Sequence, residues 1–119
     1  VLDVAHNRES AAQLAGFLGD NPVAGQTWLV LGMLADKEVA AVAGILSAGV
    51  DRWCFATLPG ERGLSAGQLG EQAAVEGQVE YFESVDAALA HAQACAGSGD
   101  RIVVTGSFLT VAAALASQV

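Results

Sequence analysis

Five short apolar runs, separated by alanine-rich helical segments, constrain the fold of this chain more than any other feature. Each run has the length and the Val, Ile or aromatic content of a β-strand. The runs are Val1–Val4, Thr27–Gly32, Arg52–Ala56, Val79–Phe82 and Arg101–Thr105. Strands that alternate with helices are best joined by right-handed crossovers into a parallel sheet. We therefore predict a doubly wound α/β fold, with a mostly parallel, Rossmann-like sheet of five or six strands and helices on both faces.

The helical segments are recognised by apolar residues at spacings of three and four. One helix is predicted over Ser10–Leu18, ended by the Gly-Asp-Asn-Pro run that follows it, and another over Asp36–Leu46. The aspartate that begins the second helix can cap it and complement its dipole. Ser65 and Ser84 are expected to cap two more helices, and a fifth is expected to begin near Ser107. The order of the strands does not follow from these patterns.

Length and composition fit one compact domain. The chain has 119 residues, of which 53% are apolar and 15% are charged, so extended disorder is excluded. No linker, tandem repeat or block of charge interrupts the pattern, and we predict a single domain over residues 1–119. Val1 opens the sequence without an initiator Met and inside a predicted strand, which leads us to expect a piece of a longer protein.

The charge balance argues against nucleic acid and membranes as partners. Thirteen acidic residues against five basic ones give a formal net charge of −8, which repels phosphate groups.

Cys54 and Cys95 lie in apolar stretches, without metal-ligand spacing and without the density of a secreted disulfide scaffold. We therefore expect a cytoplasmic setting and no metal site formed by this chain alone.

Candidate functional residues follow the carboxyl ends of the predicted strands, where open α/β sheets bind their ligands. Three of the five basic residues, Arg8, Lys37 and Arg62, lie in these turns although the whole chain is acidic. Cations are thus concentrated where anions would bind. The other candidates are Asp3, His6, Asn7 and Ser107.

The candidates nearer the start of the chain, up to Lys37, each have two possible roles. Asp3 can accept both hydroxyls of a ribose or only bond turn amides, and His6 can donate to a phosphate oxygen or, with Asn7, cap the following helix. Lys37 falls in the first turn of its predicted helix, where the dipole disfavours a cation. It is therefore a candidate for binding a ligand carboxylate, and the alternative is a solvated lysine.

The later candidates are less specific. Ser107 follows a glycine and offers a hydroxyl and backbone N–H groups to a carboxylate, although an ordinary helix cap needs the same residue. Arg62 can form a fork for phosphate or carboxylate, pair with Glu61, or stay free at the surface. His91 is expected to be an isolated surface residue of a helix, and Gly32 to serve a close backbone approach or a tight turn.

Two motifs of nucleotide-binding proteins do not occur. The sequence holds no phosphate loop of the form G-x-x-x-x-G-K-[ST], and no G-x-G-x-x-G follows a strand. Any nucleotide would then have to be shared with another domain.

Four segments stand in a recognisable order: D-V-A-H-N at 3–7, G-M-L-A-D-K at 32–37, R-G-L-S-A at 62–66 and G-S-F-L-T-V at 106–111. Together they resemble the C-terminal domain of folylpolyglutamate synthase/dihydrofolate synthase, in the Mur ligase family. The likeness covers essentially the whole chain, and the pairing of the first two segments is fairly specific to the folate branch. One departure is Arg8, where the family usually has proline, so we expect a less rigid start to the first helix.

The resemblance implies an ATP-dependent amide ligase whose phosphate loop and Mg²⁺ belong to a central domain outside this chain. ATP would phosphorylate the carboxylate of dihydropteroate or a folate, and the amine of L-glutamate would attack the acyl phosphate. Asp3 would contact the ribose, His6 the phosphates as a catalytic residue, and Asn7 would shape the nucleotide-binding turn. Lys37 and Ser107 would bind the glutamate carboxylates, and the isolated domain would be inactive.

Two alternatives remain at this point. One is the C-terminal domain of a Mur ligase that acts on a cell-wall precursor. The other is a non-catalytic, flavodoxin-like binding module, which would carry acidic strand ends without Lys37 and Arg62 nearby.

Overall fold

The computed structural model of the chain describes residues 7–106, in which helices and strands alternate. The helices are α1 (Arg8–Asp20), α2 (Val39–Leu46), α3 (Ala66–Ala73) and α4 (Val85–Cys95), with a short 3-10 turn at Ser47–Gly49. The strands are β1 (Thr27–Gly32), β2 (Arg52–Ala56), β3 (Gln78–Phe82) and β4 (Arg101–Gly106). The strand predicted at 1–4 and the helix predicted from residue 107 lie outside the described residues.

The sheet is parallel throughout the described part, with the strand order β3-β2-β1-β4. All six residues of the central strand β1 are buried, as the uninterrupted apolar run predicts for a strand covered on both faces. The predicted α/β class and parallel sheet are confirmed. Four strands are seen where five or six were expected, and the remaining predicted strand falls outside the described range.

Two separate cores cover the two faces of the sheet. Alternate strand residues such as Leu29, Leu31 and Phe55 pack with α1, α2 and α3, whereas Trp28 and Val104 belong to the core under α4. Because side chains along a strand point alternately to opposite faces, one strand supplies both cores. The prediction of helices on both faces is confirmed.

Helix starts are set by local hydrogen bonds where the sequence offers a capping side chain. Ser65 and Ser84 cap α3 and α4 as predicted, since each side chain accepts a backbone N–H from the first turn. The predicted start of α2 at Asp36 is wrong. That helix begins at Val39, and its N-cap residue Glu38 makes no side-chain cap bond.

The helices of the described part are short, and its two cysteines are free. Among residues 7–106, no helix has both the length and the apolar character needed to cross a bilayer. Cys54 is buried and Cys95 is exposed, and both are free thiols. Burial raises the pKa of the Cys54 thiol to about 11, so this side chain acts as a small apolar group in the core.

Candidate functional site

The carboxyl ends of β1 and β4 meet at a pair of glycines. Gly32 and Gly106 are register partners at the last position of the two strands. Gly106 has a φ of 124°, and a Cβ atom on it would overlap the carbonyl oxygen of Gly32. The close backbone approach predicted at Gly32 is therefore confirmed. As a result, the turn that carries Lys37 leaves the sheet edge beside the end of β4.

The turn after β1 is joined to the turn after β2 by backbone contacts. Leu34 and Gly63 form an isolated antiparallel bridge, and the Ala35 N–H donates to the carbonyl oxygen of Arg62 at 2.7 Å. Gly63 has no room for a side chain, because a Cβ atom there would overlap the carbonyl group of Leu58. The two turns thus form one connected structure at the carboxyl edge of the sheet.

Arg62 and Asp36 add an ion pair to this connection. The Arg62 Nη2 atom donates to the Asp36 Oδ2 atom at 2.5 Å. Partial desolvation acts to raise the pKa of Asp36, but the hydrogen bond and charge of Arg62 outweigh it and hold that pKa below its ordinary value. The structure therefore corrects the choices considered for Arg62, since its partner is neither Glu61 nor solvent alone but Asp36.

A second ion pair joins the start of α1 to the start of α2. The Arg8 Nε atom donates to the Glu38 Oε1 atom at 3.1 Å. Glu38 was not among the residues singled out from the sequence. The only local signal for it is its place in the run Asp36-Lys37-Glu38, where acids flank a single lysine.

The sequence had suggested that Lys37 lies in the first turn of a helix. In the structure it lies in the turn before α2, which begins at Val39. Its backbone N–H donates to the carbonyl oxygen of Leu34 at 3.2 Å, and its own carbonyl accepts from Val39 at 3.0 Å. Within residues 7–106, its ammonium group makes no ion pair, although both neighbouring acids do. The helix dipole therefore gives no reason for a cation at this position, but the position remains suited to a carboxylate ligand because no acid among residues 7–106 pairs with the Lys37 ammonium.

Asn7 acts as the N-cap of α1. Its Oδ1 atom accepts the backbone N–H of Ser10 at 2.9 Å, and the Ser10 hydroxyl reaches back to Asn7 to complete a capping box. This geometry sets the first turn of α1. It also replaces the rigidity that a proline would supply at position 8, so the start of the helix is fixed by side-chain hydrogen bonds.

Three predicted site residues, Asp3, His6 and Ser107, lie outside the described residues. The positions next to them are described, and these are Asn7 at the start of α1 and Gly106 at the end of β4. The Arg8–Glu38 pair brings the first of these positions to the Lys37 turn, and the Gly32–Gly106 approach brings the second.

His91 is not the isolated surface residue that the sequence suggested. Its side chain is 31% exposed and forms an ion pair with Glu80 of β3. Its ring lies 5.1 Å from the ring of Phe82 and 6.3 Å from that of Trp28. These partners are close in space but distant or non-periodic in sequence, so the spacing pattern could not indicate them. The histidine helps to pack α4 on the sheet.

A G-x-S-x-G motif was expected to be absent from this chain, and that expectation is wrong, because residues 63–67 carry this spacing. In nucleophile elbows the serine of this motif is exposed for attack. Here the Ser65 hydroxyl accepts the backbone N–H of Gln68 at 3.2 Å and caps α3. The hydroxyl has a structural role, and no histidine hydrogen-bonds it within the described part.

A hollow of about 370 Å³ opens beside the connected turns and is lined by Leu34, Pro59, Gly60, Glu61, Arg62 and Gly63. Its walls belong to the same two turns that hold Asp36 and Lys37 in place. Among residues 7–106, no three or more His, Cys, Asp or Glu side chains are grouped so as to hold a metal ion.

Comparison with known proteins identifies the class to which this arrangement belongs. The family model described as "Mur ligase, glutamate ligase domain" matches residues 1–108. The chain belongs to this family.

Particular relatives narrow the likeness to the folate branch. The chain is 41% identical over 112 residues to the dihydrofolate synthase/folylpolyglutamate synthase of Escherichia coli (strain K12), a match that covers 94% of this chain and 26% of that protein. A crystal structure of the bifunctional folylpolyglutamate synthase/dihydrofolate synthase from Yersinia pestis, complexed with AMPPNP and Mn, matches with a TM-score of 0.89 at 40% identity. This match covers 98% of the present chain and 28% of the Yersinia pestis chain.

A further structure of a bifunctional folylpolyglutamate synthase/dihydrofolate synthase has Mn, AMPPNP and L-glutamate bound. It matches with a TM-score of 0.88 at 40% identity, over 98% of this chain and 28% of that one. The chain therefore spans about a quarter of the length of the relatives that it matches.

Proposed function

We propose that this chain is the C-terminal domain of an ATP-dependent ligase that adds L-glutamate to dihydropteroate or to a folate. The observation that carries the proposal is the meeting of three turns at one sheet edge. They are the start of α1, the turn that holds Lys37 and the end of β4 at Gly106. In open α/β sheets this edge binds ligands.

In the proposed reaction, ATP transfers its γ-phosphoryl group to a carboxylate of the folate substrate and leaves as ADP. The amine of L-glutamate then attacks the carbonyl carbon of this acyl phosphate. Phosphate leaves, the amine loses a proton and an amide bond forms. Such a reaction depends mainly on positioning the two reactants and on stabilising anionic charge.

The residues of this chain have separate roles in the proposal. Asp3 binds the ribose and His6 the phosphates of the nucleotide, with Asn7 holding the turn between them and α1. Lys37 and Ser107 bind the carboxylates of the incoming glutamate and so direct its amine. The assignment is supported by the Lys37 ammonium, which makes no ion pair with the described part of the chain, and by the AMPPNP and L-glutamate bound to a relative with the same fold.

Mg²⁺ and most contacts to ATP belong, in this proposal, to a central domain that faces the same edge. The phosphate-loop motif is absent from the 119 residues, and no group of metal ligands is formed among residues 7–106. When bound, Mg²⁺ would neutralise charge on the phosphates. Because the nucleotide site would be shared, we expect this domain to be inactive by itself.

We place the ligase in the cytoplasm, which agrees with the free thiols of Cys54 and Cys95.

The experiment that tests the proposal is a ligase assay on the full-length parent enzyme. ATP, Mg²⁺ and L-glutamate are supplied with dihydropteroate, a folate or a muramyl peptide in parallel. Amide formation with dihydropteroate or folate and none with the muramyl peptide is expected. Ligation of the muramyl peptide alone would instead establish the cell-wall alternative. The flavodoxin-like alternative is disfavoured because Asp36 is paired with Arg62 beside Lys37.

A further inference from the structure

Lys37 is the only lysine among the 119 residues, and it stands between two acids. Each acid is paired with an arginine from a different turn: Asp36 with Arg62 at 2.5 Å, and Glu38 with Arg8 at 3.1 Å. Among the described residues, the ion pairs therefore involve the flanking acids and not the lysine between them.

Without the two arginines, the adjacent carboxylates would be the anions nearest to Lys37. A lysine ammonium sits on a flexible four-carbon stem and pairs readily with an exposed carboxylate. The charge of Lys37 already acts on Asp36 across this turn. Lys37 and the four side chains of the two ion pairs together carry one net positive charge, in a chain whose formal net charge is −8.

The two ion pairs are too exposed to be explained by stability. The side chains of Arg8 and Glu38 are 71% and 51% exposed, and those of Arg62 and Asp36 are 67% and 54% exposed. Pairs at such positions add little to the free energy of unfolding. Their effect is on the local distribution of charge around Lys37.

We propose that Arg62 and Arg8 are positioning residues that neutralise the acids flanking Lys37 and thereby keep its ammonium available for a ligand carboxylate. The identity of that ligand as L-glutamate rests on the proposed function, whereas the charge arrangement does not. The proposal also gives a role to Arg8.

The kinetic test uses the full-length enzyme and pairs of substitutions of opposite effect. Arg62→Ala leaves Asp36 free to hold Lys37, and it should raise the KM for L-glutamate about three- to tenfold while kcat and the KM for ATP stay within about twofold. Adding Asp36→Asn to Arg62→Ala removes the competing acid and should return the KM toward the wild-type value.

The Arg8 side is tested in the same way. Arg8→Ala should raise the KM for L-glutamate, and Glu38→Gln in that background should restore it. Rescue by loss of a second contact is not expected from a merely structural role, because the bridging contact stays broken. Glu76→Gln, at an exposed acid outside these turns, controls for the change in net charge.

A second readout does not depend on catalysis. Limiting acetic anhydride labels free lysine amines, and peptide mapping by mass spectrometry gives the rate at Lys37. That rate should fall about two- to threefold in Arg62→Ala and recover in the Arg62→Ala, Asp36→Asn double variant.

The outcomes separate the two proposals. An unchanged labelling rate at Lys37 in Arg62→Ala, or no recovery in the double variant, would overturn the neutralising role whatever the enzyme catalyses. A wild-type enzyme that adds no glutamate to dihydropteroate or folate would overturn the proposed function. The labelling rates at Lys37 in the wild type, the single variant and the double variant would still decide the role of the arginines.

Discussion

Gly106 stands beside Gly32 so closely that a Cβ atom on Gly106 would overlap the Gly32 carbonyl oxygen. The two residues end neighbouring parallel strands. Their approach brings the start of the Lys37 turn and the end of β4 to one point of the sheet edge.

Replacing Gly106 with alanine tests this contact. The φ of 124° disfavours any side chain, and the added methyl group would press on the neighbouring strand. We expect the free energy of unfolding to fall by about 1–3 kcal/mol. Urea unfolding measures it. Gly44→Ala is the matched control, because a Cβ there has open space within a helix and should stabilise by about 0.5–1 kcal/mol. Equal stability of Gly106→Ala and wild type would show that the strand ends are farther apart.

Lys37→Ala should raise the KM for L-glutamate more than the KM for ATP. The ammonium makes no ion pair within residues 7–106, so its removal leaves no described partner unsatisfied, and the melting temperature should change little. Steady-state kinetics of the full-length enzyme with each substrate varied in turn gives the comparison. A larger effect on ATP would mean that Lys37 serves the nucleotide instead.

His6→Ala should lower kcat of the full-length enzyme with the fold intact, because an imidazole in a turn contributes little core volume. Circular dichroism and thermal unfolding of the same sample report on the fold. An unfolded variant would show that the histidine is structural.

Asn7→Ala should destabilise the protein by about 1 kcal/mol, since it removes the oxygen that caps α1. Asn7→Ser keeps a capping oxygen and should retain most of that stability. If Asn7 only shapes the turn, Asn7→Ser also keeps the KM for ATP near the wild-type value. A raised KM with normal stability would instead indicate direct contact with the nucleotide.

Asp100 makes stability depend on pH. Its carboxylate accepts from the backbone N–H groups of Gln26 and Gly97 and from the indole of Trp28, and these bonds hold its pKa below the ordinary 3.8. The folded state therefore favours the charged form, which stabilises the protein above pH 3.8. This contribution is lost as the pH falls through the lowered pKa of the folded state.

The unfolding free energies of wild type and Asp100→Asn, measured across that range, test the point. Wild type should be the more stable protein near neutrality, and the difference should shrink below pH 3.8. A difference that stays constant with pH would show that the pKa is not lowered on folding.

Much of the fold could be predicted because its signals are local. The bounds of β1 and β2 follow from apolar runs that end at polar residues or glycine, and Ser65 and Ser84 cap their helices as expected. The start of α2 was misjudged because Asp36 has the chemistry of a cap but is taken by Arg62, 26 residues away.

The candidate site could be predicted only in part. The rule for open α/β sheets led to the turns that the structure joins at the carboxyl edge of the sheet, and Lys37 was noticed from its residue type. The partners of the acids beside it were not predicted. Ion pairs such as Arg8–Glu38 span 30 residues and depend on how the helices pack, which no spacing pattern records.

The proposed function requires Lys37 and Ser107 to bind one glutamate molecule at the edge of the sheet where β1 and β4 end. A crystal structure of the full-length enzyme with L-glutamate and a non-hydrolysable ATP analogue measures this directly. We predict that the Lys37 Nζ and Ser107 Oγ atoms both lie within about 3.2 Å of carboxylate oxygens of the same L-glutamate. A bound glutamate molecule that contacts neither the Lys37 nor the Ser107 side chain would contradict the proposed glutamate site.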